Sequence, residues 1–237
     1  MLSGPQNSAS DNAIADRLAA LRQRIAVAAA AASRDVRSIT LLAVTKGQPP
    51  ERLRAALALG LTAFGENYLP EALPKIQSLR DAAPEWHFIG RLQANKTRPV
   101  AEHFSWVHSV DRLKIAERLS VQRAQLAPPL NLCIQVSVSG EAAKGGVPPG
   151  EALALLHAVA TLPRLRVRGL MCMLSYGADP VQQRADFGRV RDLLDSARAQ
   201  GLALDTLSMG MSADLEQAVQ AGSTMLRIGT ALFGERA

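Results

Sequence analysis

Apolar residues at Ile14, Leu18, Leu21, Ile25 and Ala28 or Ala29 recur in steps of three and four, which predicts a long amphipathic helix over Asn12–Ala32. Beyond it the pattern changes to short apolar runs. Eight of them are predicted strands: Ile39–Val44, Ala63–Phe64, Trp86–Ile89, Trp106–Val107, Leu132–Val138, Val167–Met173, Thr206–Met209 and Met225–Ile228. The segments between them, 51–59, 69–79, 93–101, 111–125, 151–161, 181–199 and 213–221, are rich in alanine and leucine at helical spacing. Gly60, Gly201 and Gly222 end three of these segments, as glycine often ends a helix. Strand and helix alternating throughout predict parallel strands joined by right-handed crossovers. Eight repeats in 237 residues predict an α/β fold of the (β/α)8 TIM barrel kind with an additional N-terminal helix. The runs at 63–64 and 106–107 are short, which leaves an open doubly wound sheet as the alternative.

Composition narrows the function classes. The content of 48% hydrophobic and 20% charged residues is that of an ordinary globular chain, so one domain is expected over residues 12–237, after a flexible polar leader at 1–11. That leader has neither the basic start nor the apolar middle of a secretory signal. No apolar run reaches the ~20 residues a membrane span needs, so a cytoplasmic protein with no membrane partner is expected. A net charge of +6 favours anionic partners. The basic residues are spaced rather than clustered, and aromatic residues are only 4%, which argues against nucleic acid. Cys133 and Cys172 lie in apolar runs and are expected to pack rather than to form a disulfide or hold a metal.

In such a barrel the functional residues gather beyond the C-terminal ends of the strands. Lys46 directly follows Leu41-Leu42-Ala43-Val44, where an amine near other cations can lose its proton and attack a carbonyl to form a Schiff base; the bland alternative is an amine that simply reaches water. At the ends of the last two strands, Gly210 is read as allowing close backbone approach, Ser212 as a helix N-cap, and Gly229-Thr230 follow Arg227. Free backbone N–H groups, a helix N-terminus and a guanidinium would together hold a phosphate. The alternative is that Ser212 only caps a helix and Arg227 only pairs with a surface carboxylate such as Glu235. A lysine facing a phosphate cradle suits pyridoxal 5'-phosphate, and equally a Schiff-base aldolase acting on a sugar phosphate.

The motifs AVTK (43–46), FGENYLPEA (64–72), WHFIGRLQANK (86–96), HSVDR (108–112), GLMCM (169–173) and SMGMSADLEQAVQAGSTMLRIGTALFGER (208–236) occur in this order. On these the chain resembles the pyridoxal phosphate homeostasis proteins of the YggS/PROSC type, relatives of the N-terminal barrel of alanine racemase. The resemblance implies pyridoxal phosphate carried on Lys46, its phosphate held around Ser212, Gly229 and Thr230, Arg227 beside the cofactor and Asn67 lining the pocket. It also matches Lys144 to a lysine near the site. Departures are Gly47-Gln48, Ser137 and Arg91, which stand where the family commonly has a more polar segment, asparagine and proline. Alanine racemase draws its second base from a further C-terminal domain, which this chain is expected to lack; the local substitutes are Tyr68, Tyr176 and His108, each with a bland structural alternative. The expectation is therefore a monomeric, non-catalytic carrier that stores, buffers or delivers the cofactor in vitamin B6 homeostasis, affecting amino-acid and keto-acid balance, with apo pyridoxal phosphate enzymes as acceptors. An amino-acid racemase is the alternative.

Overall fold

The computed structural model describes residues 5–138, 145–174 and 177–235, with the main chain alone for 5–11. Helix and strand alternate along it: α1 (Pro5–Ala31), β1 (Thr40–Val44), α2 (Pro50–Ala58), β2 (Ala63–Glu66), α3 (Leu69–Ser78) and β3 (Glu85–Phe88). There follow α4 (Thr97–His103), β4 (Trp106–Val110), α5 (Leu113–Gln122), β5 (Leu130–Val136), α6 (Pro149–Ala160) and β6 (Leu165–Cys172). The chain ends with α7 (Pro180–Ala199), β7 (Thr206–Ser208), α8 (Leu215–Gln220), β8 (Met225–Ile228) and α9 (Thr230–Phe233). The eight strands pair in parallel in chain order, and β8 returns to β1 to close the barrel. The closed sheet excludes the open alternative.

Alternation along each strand divides its residues between two cores. One set, with Phe64, Val107, Leu132, Leu170, Leu207 and Leu226, joins the helices in the large outer core. The other set fills the barrel as two small apolar clusters, Leu42, Val44, Ala63, Ile89 and Met225 on one side and Trp106, Cys133 and Met171 on the other. Polar residues run between these clusters: His87, His108, Ser208 and Arg227, all buried. The strands β2 and β4 extend beyond the apolar runs that predicted them because their polar ends are satisfied internally. Glu66 bonds Lys75 and Thr45, His108 bonds His87 and Ser208, and the Ser109 hydroxyl donates to the Gly90 carbonyl at 2.5 Å.

The last strand is followed among the described residues only by the four-residue α9, and α1 packs against α8, α9 and α2 in the layer where an eighth long helix would lie. Its predicted stripe Ile14, Leu18, Leu21, Ile25, Ala28 and Ala29 is the buried face. The helix starts at Pro5 rather than Asn12, so residues 5–11 of the expected leader are helical; a proline is accommodated in the first turn, and nothing between Pro5 and Asn12 breaks the helix. From α1, Arg24 forms a two-pronged contact with Glu216 at 2.8 and 3.1 Å and also donates to the Ser212 carbonyl at 3.2 Å. The helix thus holds the loop between β7 and α8.

Candidate functional site at the barrel mouth

Register decides what meets at the mouth. Ala43 of β1 pairs with Ile228 of β8 and Gly229 lies against Val44, so Lys46, on the turn after β1, and Ala231, in the first turn of α9, both follow the C-terminal ends of adjacent strands. Lys46 is half-buried on the turn that follows β1 and continues the spacing of the inward residues Leu42 and Val44. Its two neighbours are fixed from the helix layer. Lys75 on α3 donates to the Thr45 carbonyl at 2.7 Å, and Glu71, one turn earlier on α3 and itself bonded to Lys75, accepts the Gly47 N–H. Gly47 has φ +74°, a conformation that costs a side-chain-bearing residue energy, which accounts for glycine directly after the lysine. Beneath this clasp, Glu66 accepts from Lys75 at 2.7 Å and from the Thr45 hydroxyl at 2.6 Å. Burial pushes the Glu66 carboxyl above the usual range, against the lowering effect of its bonds to Lys75 and Thr45.

At the ends of β7 and β8, two expectations need correction. Ser212 does not cap a helix: α8 begins at Leu215 after Asp214, whose carboxylate accepts the Met211 N–H at 2.5 Å. The Ser212 hydroxyl instead accepts the Ala231 N–H at 3.3 Å, tying the loop after β7 to the first turn of α9, just beyond β8. Gly210 serves packing rather than ligand approach: at φ +98° a Cβ there would lie 2.5 Å from the Ala218 Cβ and 2.7 Å from Leu226 Cδ2. Gly229 is open by comparison, its nearest neighbours being Val44 atoms at ordinary contact distance. Thr230 is exposed on the rim.

Arg227 is not a surface partner of Glu235. It is 4% exposed, points into the barrel, and is aligned with Leu42, below the level of Ser212 and Ala231. One terminal nitrogen donates to the Ser208 carbonyl at 2.5 Å and the Ser208 hydroxyl at 2.9 Å; the other donates to the Cys172 carbonyl at 2.7 Å. The Ser208 hydroxyl is 2.8 Å from His108 Nδ1, His108 Nε2 is 2.9 Å from His87 Nδ1, and His87 Nε2 is 3.0 Å from a Glu85 carboxylate oxygen. Burial holds both histidines below their ordinary pKa, His108 well below it, with the charges of His87 and Arg227 adding to the effect at His108. Glu85 is held below the usual carboxylate range by its bond to His87. Cys133 and Cys172 are free and fully buried, and burial pushes each thiol up to about 12, so they pack and do not react.

Asn67 lines a cavity of about 420 Å³ with Tyr68, Phe88, Gly90, Arg91 and Lys96, and its amide oxygen is buried without a hydrogen-bond partner. Of the residues considered as a second base, Tyr68 is 67% exposed, His108 is enclosed in the interior chain, and Tyr176 lies outside the described residues, as does Lys144. No group of three or more His, Cys, Asp or Glu side chains is placed to hold a metal among the described residues, and no helix there is long and apolar enough to cross a membrane. Motif reading passed over Glu71, Lys75, Glu85 and His87. For three of them a signal was present: Glu71 and Lys75 are an i, i+4 acid–base pair on one helix, and His87 is a histidine inside the apolar run WHFI; Glu85 carries none.

Comparison with known proteins agrees with this architecture. Residues 17–237 match the family model of the alanine racemase N-terminal domain. The chain is 56% identical over 223 residues to the pyridoxal phosphate homeostasis protein of Pseudomonas aeruginosa, covering 94% of this chain and 96% of that one. It is 46% identical over 228 residues to the protein of the same name from Escherichia coli, covering 95% and 97%. Among solved structures, PipY of Synechococcus elongatus with PLP bound superposes with a TM-score of 0.83 at 38% identity, over 93% of this chain and all of PipY. Alanine racemase of Corynebacterium glutamicum, at 20% identity and a TM-score of 0.73, shares the fold; 95% of this chain matches 62% of that enzyme.

Proposed function

The chain belongs to the alanine racemase N-terminal domain family, and from that premise we propose that it binds pyridoxal 5'-phosphate and serves in the homeostasis of that cofactor as a carrier, attaching it covalently through the Lys46 amine. The observation that carries this reading is the register of β1 against β8, with Gly229 against Val44, so that Lys46 just beyond β1 neighbours the segment beyond β8 in which Ala231 bonds Ser212. The ligand carries an aldehyde, a phosphate and a ring nitrogen, and the residues at the mouth fit all three. Lys46 would take the aldehyde carbon. Ser212, with the backbone at Gly229 and Thr230, would take the phosphate. The partnerless amide oxygen of Asn67 fits a pocket completed by a polar ligand.

Arg227 lies too deep to share the phosphate with Ser212, so we assign it to the ring-nitrogen side. When bound, pyridoxal phosphate supplies an electron sink for bonds at an attached amine carbon, and that sink is strong only if the ring nitrogen is protonated. A guanidinium is a donor that keeps its own proton, so it leaves the nitrogen unprotonated and weakens the sink. His108 is committed to His87 and Ser208 and is no free base at the mouth. Both features support binding and release rather than turnover, with apo enzymes that need the cofactor as acceptors. The test is the visible absorption of the protein and of Lys46→Ala with and without pyridoxal phosphate, followed by borohydride reduction and peptide mapping. A visible band in the unmodified protein alone, with the adduct on Lys46, is the expected result. Equal bands in both proteins, or an adduct elsewhere, would remove Lys46 from the site, and saturable amino-acid racemisation would displace the carrier reading.

A further inference from the structure

A line of polar side chains crosses the barrel from its floor, where Glu85 opens β3 with its side chain 49% exposed, to the buried Arg227 below the mouth. The geometry points to His87 and His108 as positioning residues, which hold Arg227 from the floor of the barrel through hydrogen bonds all donated in one direction, from Arg227 toward Glu85. The direction follows from what each group is able to give. The Glu85 carboxylate only accepts, so His87 Nε2 carries a hydrogen. A neutral His87 then has a bare Nδ1, which accepts from His108 Nε2–H at 2.9 Å. A neutral His108 has a bare Nδ1 in turn, which accepts the Ser208 hydroxyl hydrogen at 2.8 Å. With its single hydrogen committed, Ser208 meets Arg227 only as an acceptor, and a guanidinium only donates. Both rings are held by burial in the neutral state this requires.

No member of the chain can turn over alone. His87 is stacked on Trp106 with ring centroids 5.3 Å apart and planes 11° from parallel, and His108 is fully buried. The other charged groups nearby lie off the line: Arg168 bonds Asp205 and Asn131, and Asp214 bonds the Met211 N–H. The proposal rests on the cofactor reading only in its last link, the presentation of Arg227 to the ligand. Its other links are properties of the protein by itself. If Glu85 cannot accept, both tautomers of His87 become available, His108 is free to invert, and Ser208 is free to turn its hydroxyl away.

The test uses the full chain labelled with ¹⁵N-histidine, without pyridoxal phosphate, and reads the tautomer of each ring by long-range nitrogen–proton NMR. Glu85→Leu removes the acceptor and Glu85→Gln keeps an oxygen acceptor; the side chain is half-exposed at the floor of the barrel, where either replacement is accommodated. Both histidines of the unmodified protein are expected as neutral Nε2–H rings. His108, which Glu85 does not touch, is expected to become a mixture of tautomers in Glu85→Leu and to remain as in the unmodified protein in Glu85→Gln. An Nδ1–H His108 in the unmodified protein, or identical His108 signals in all three proteins, would overturn the chain. In the presence of pyridoxal phosphate the visible band is expected to be displaced in Glu85→Leu and not in Glu85→Gln; an unmoved band beside an altered tautomer would overturn the link to Arg227. Should the unmodified protein take up no pyridoxal phosphate, the cofactor reading falls while the tautomer comparison still decides the chain.

Discussion

Two neutral imidazoles buried side by side make stability depend on pH in a definite direction. His87 and His108 are held below their ordinary value of 6.5 in the folded protein, chiefly by burial, whereas in the unfolded chain they titrate normally. Below pH 6.5 the unfolded chain therefore binds protons that the folded one refuses, so their contribution is complete above that pH and is lost as pH falls. Urea unfolding at constant ionic strength is expected to show stability decreasing below pH 6.5, with a slope of at most about 1.4 kcal/mol per pH unit for each ring. A flat profile between pH 7 and 5 would contradict the neutral state of both. Lys46 and Gly47 show another residue-scale effect: the chemistry needs the lysine, and the turn that carries it needs a residue that accepts positive φ.

At the scale of elements, α3 is the clamp on the end of β1. Lys75 serves the Thr45 carbonyl and two carboxylates, Glu66 and Glu71, and Glu71 serves the Gly47 amide. Lys75→Met would leave the Glu66 carboxylate buried without its cation, a loss on the order of 3–5 kcal/mol. The double variant Lys75→Met, Glu66→Gln is expected to recover part of it, since no buried charge is then unpaired. In a protein still folded at low temperature, the same single change is expected to weaken pyridoxal phosphate uptake as well, because Thr45 loses its anchor and Glu71, which holds Gly47, loses its cation. Denaturant titration of the two variants checks the first expectation and absorbance titration the second. The N-terminal helix acts comparably on the loop after β7, where Arg24 holds the Ser212 carbonyl, so α1 and α3 anchor neighbouring segments of the mouth.

For the whole molecule, closure of the barrel couples ligand binding to global stability. A ligand that bridges the end of β1 and the loops after β7 and β8 binds only the closed, folded chain, so it stabilises by mass action. Pyridoxal phosphate at a hundredfold excess over its dissociation constant is expected to raise stability by about 2.7 kcal/mol, visible as an upward shift in Tm. Lys46→Ala should lose most of that shift while keeping the Tm of the unliganded protein, because the lysine lies on a turn and carries none of the core. An equal shift in both proteins would place the ligand elsewhere.

The alternation of apolar runs and helical segments, read from sequence, determined the barrel, all eight strand locations, the buried stripe of α1 and the strand ends that offered Lys46, Ser212, Arg227, Gly229 and Thr230 as candidates, with Asn67 added by the resemblance of the motifs. Periodicity records which face of an element is buried, and burial of apolar surface is local enough to be written in neighbouring residues. What each polar side chain touches was decided only by the tertiary structure. Ser212 reads as a cap from its neighbours and is instead held by Ala231, nineteen residues away; Arg227 reads as a candidate anion or cofactor ligand, and its bonds to Ser208 and Cys172 are not legible in the sequence. His108 and Ser208, 100 residues apart, meet because strand closure puts β4 and β7 across one interior. A hydrogen bond needs a partner at about 3 Å in a particular direction, and only the closed barrel supplies that partner from a distant strand.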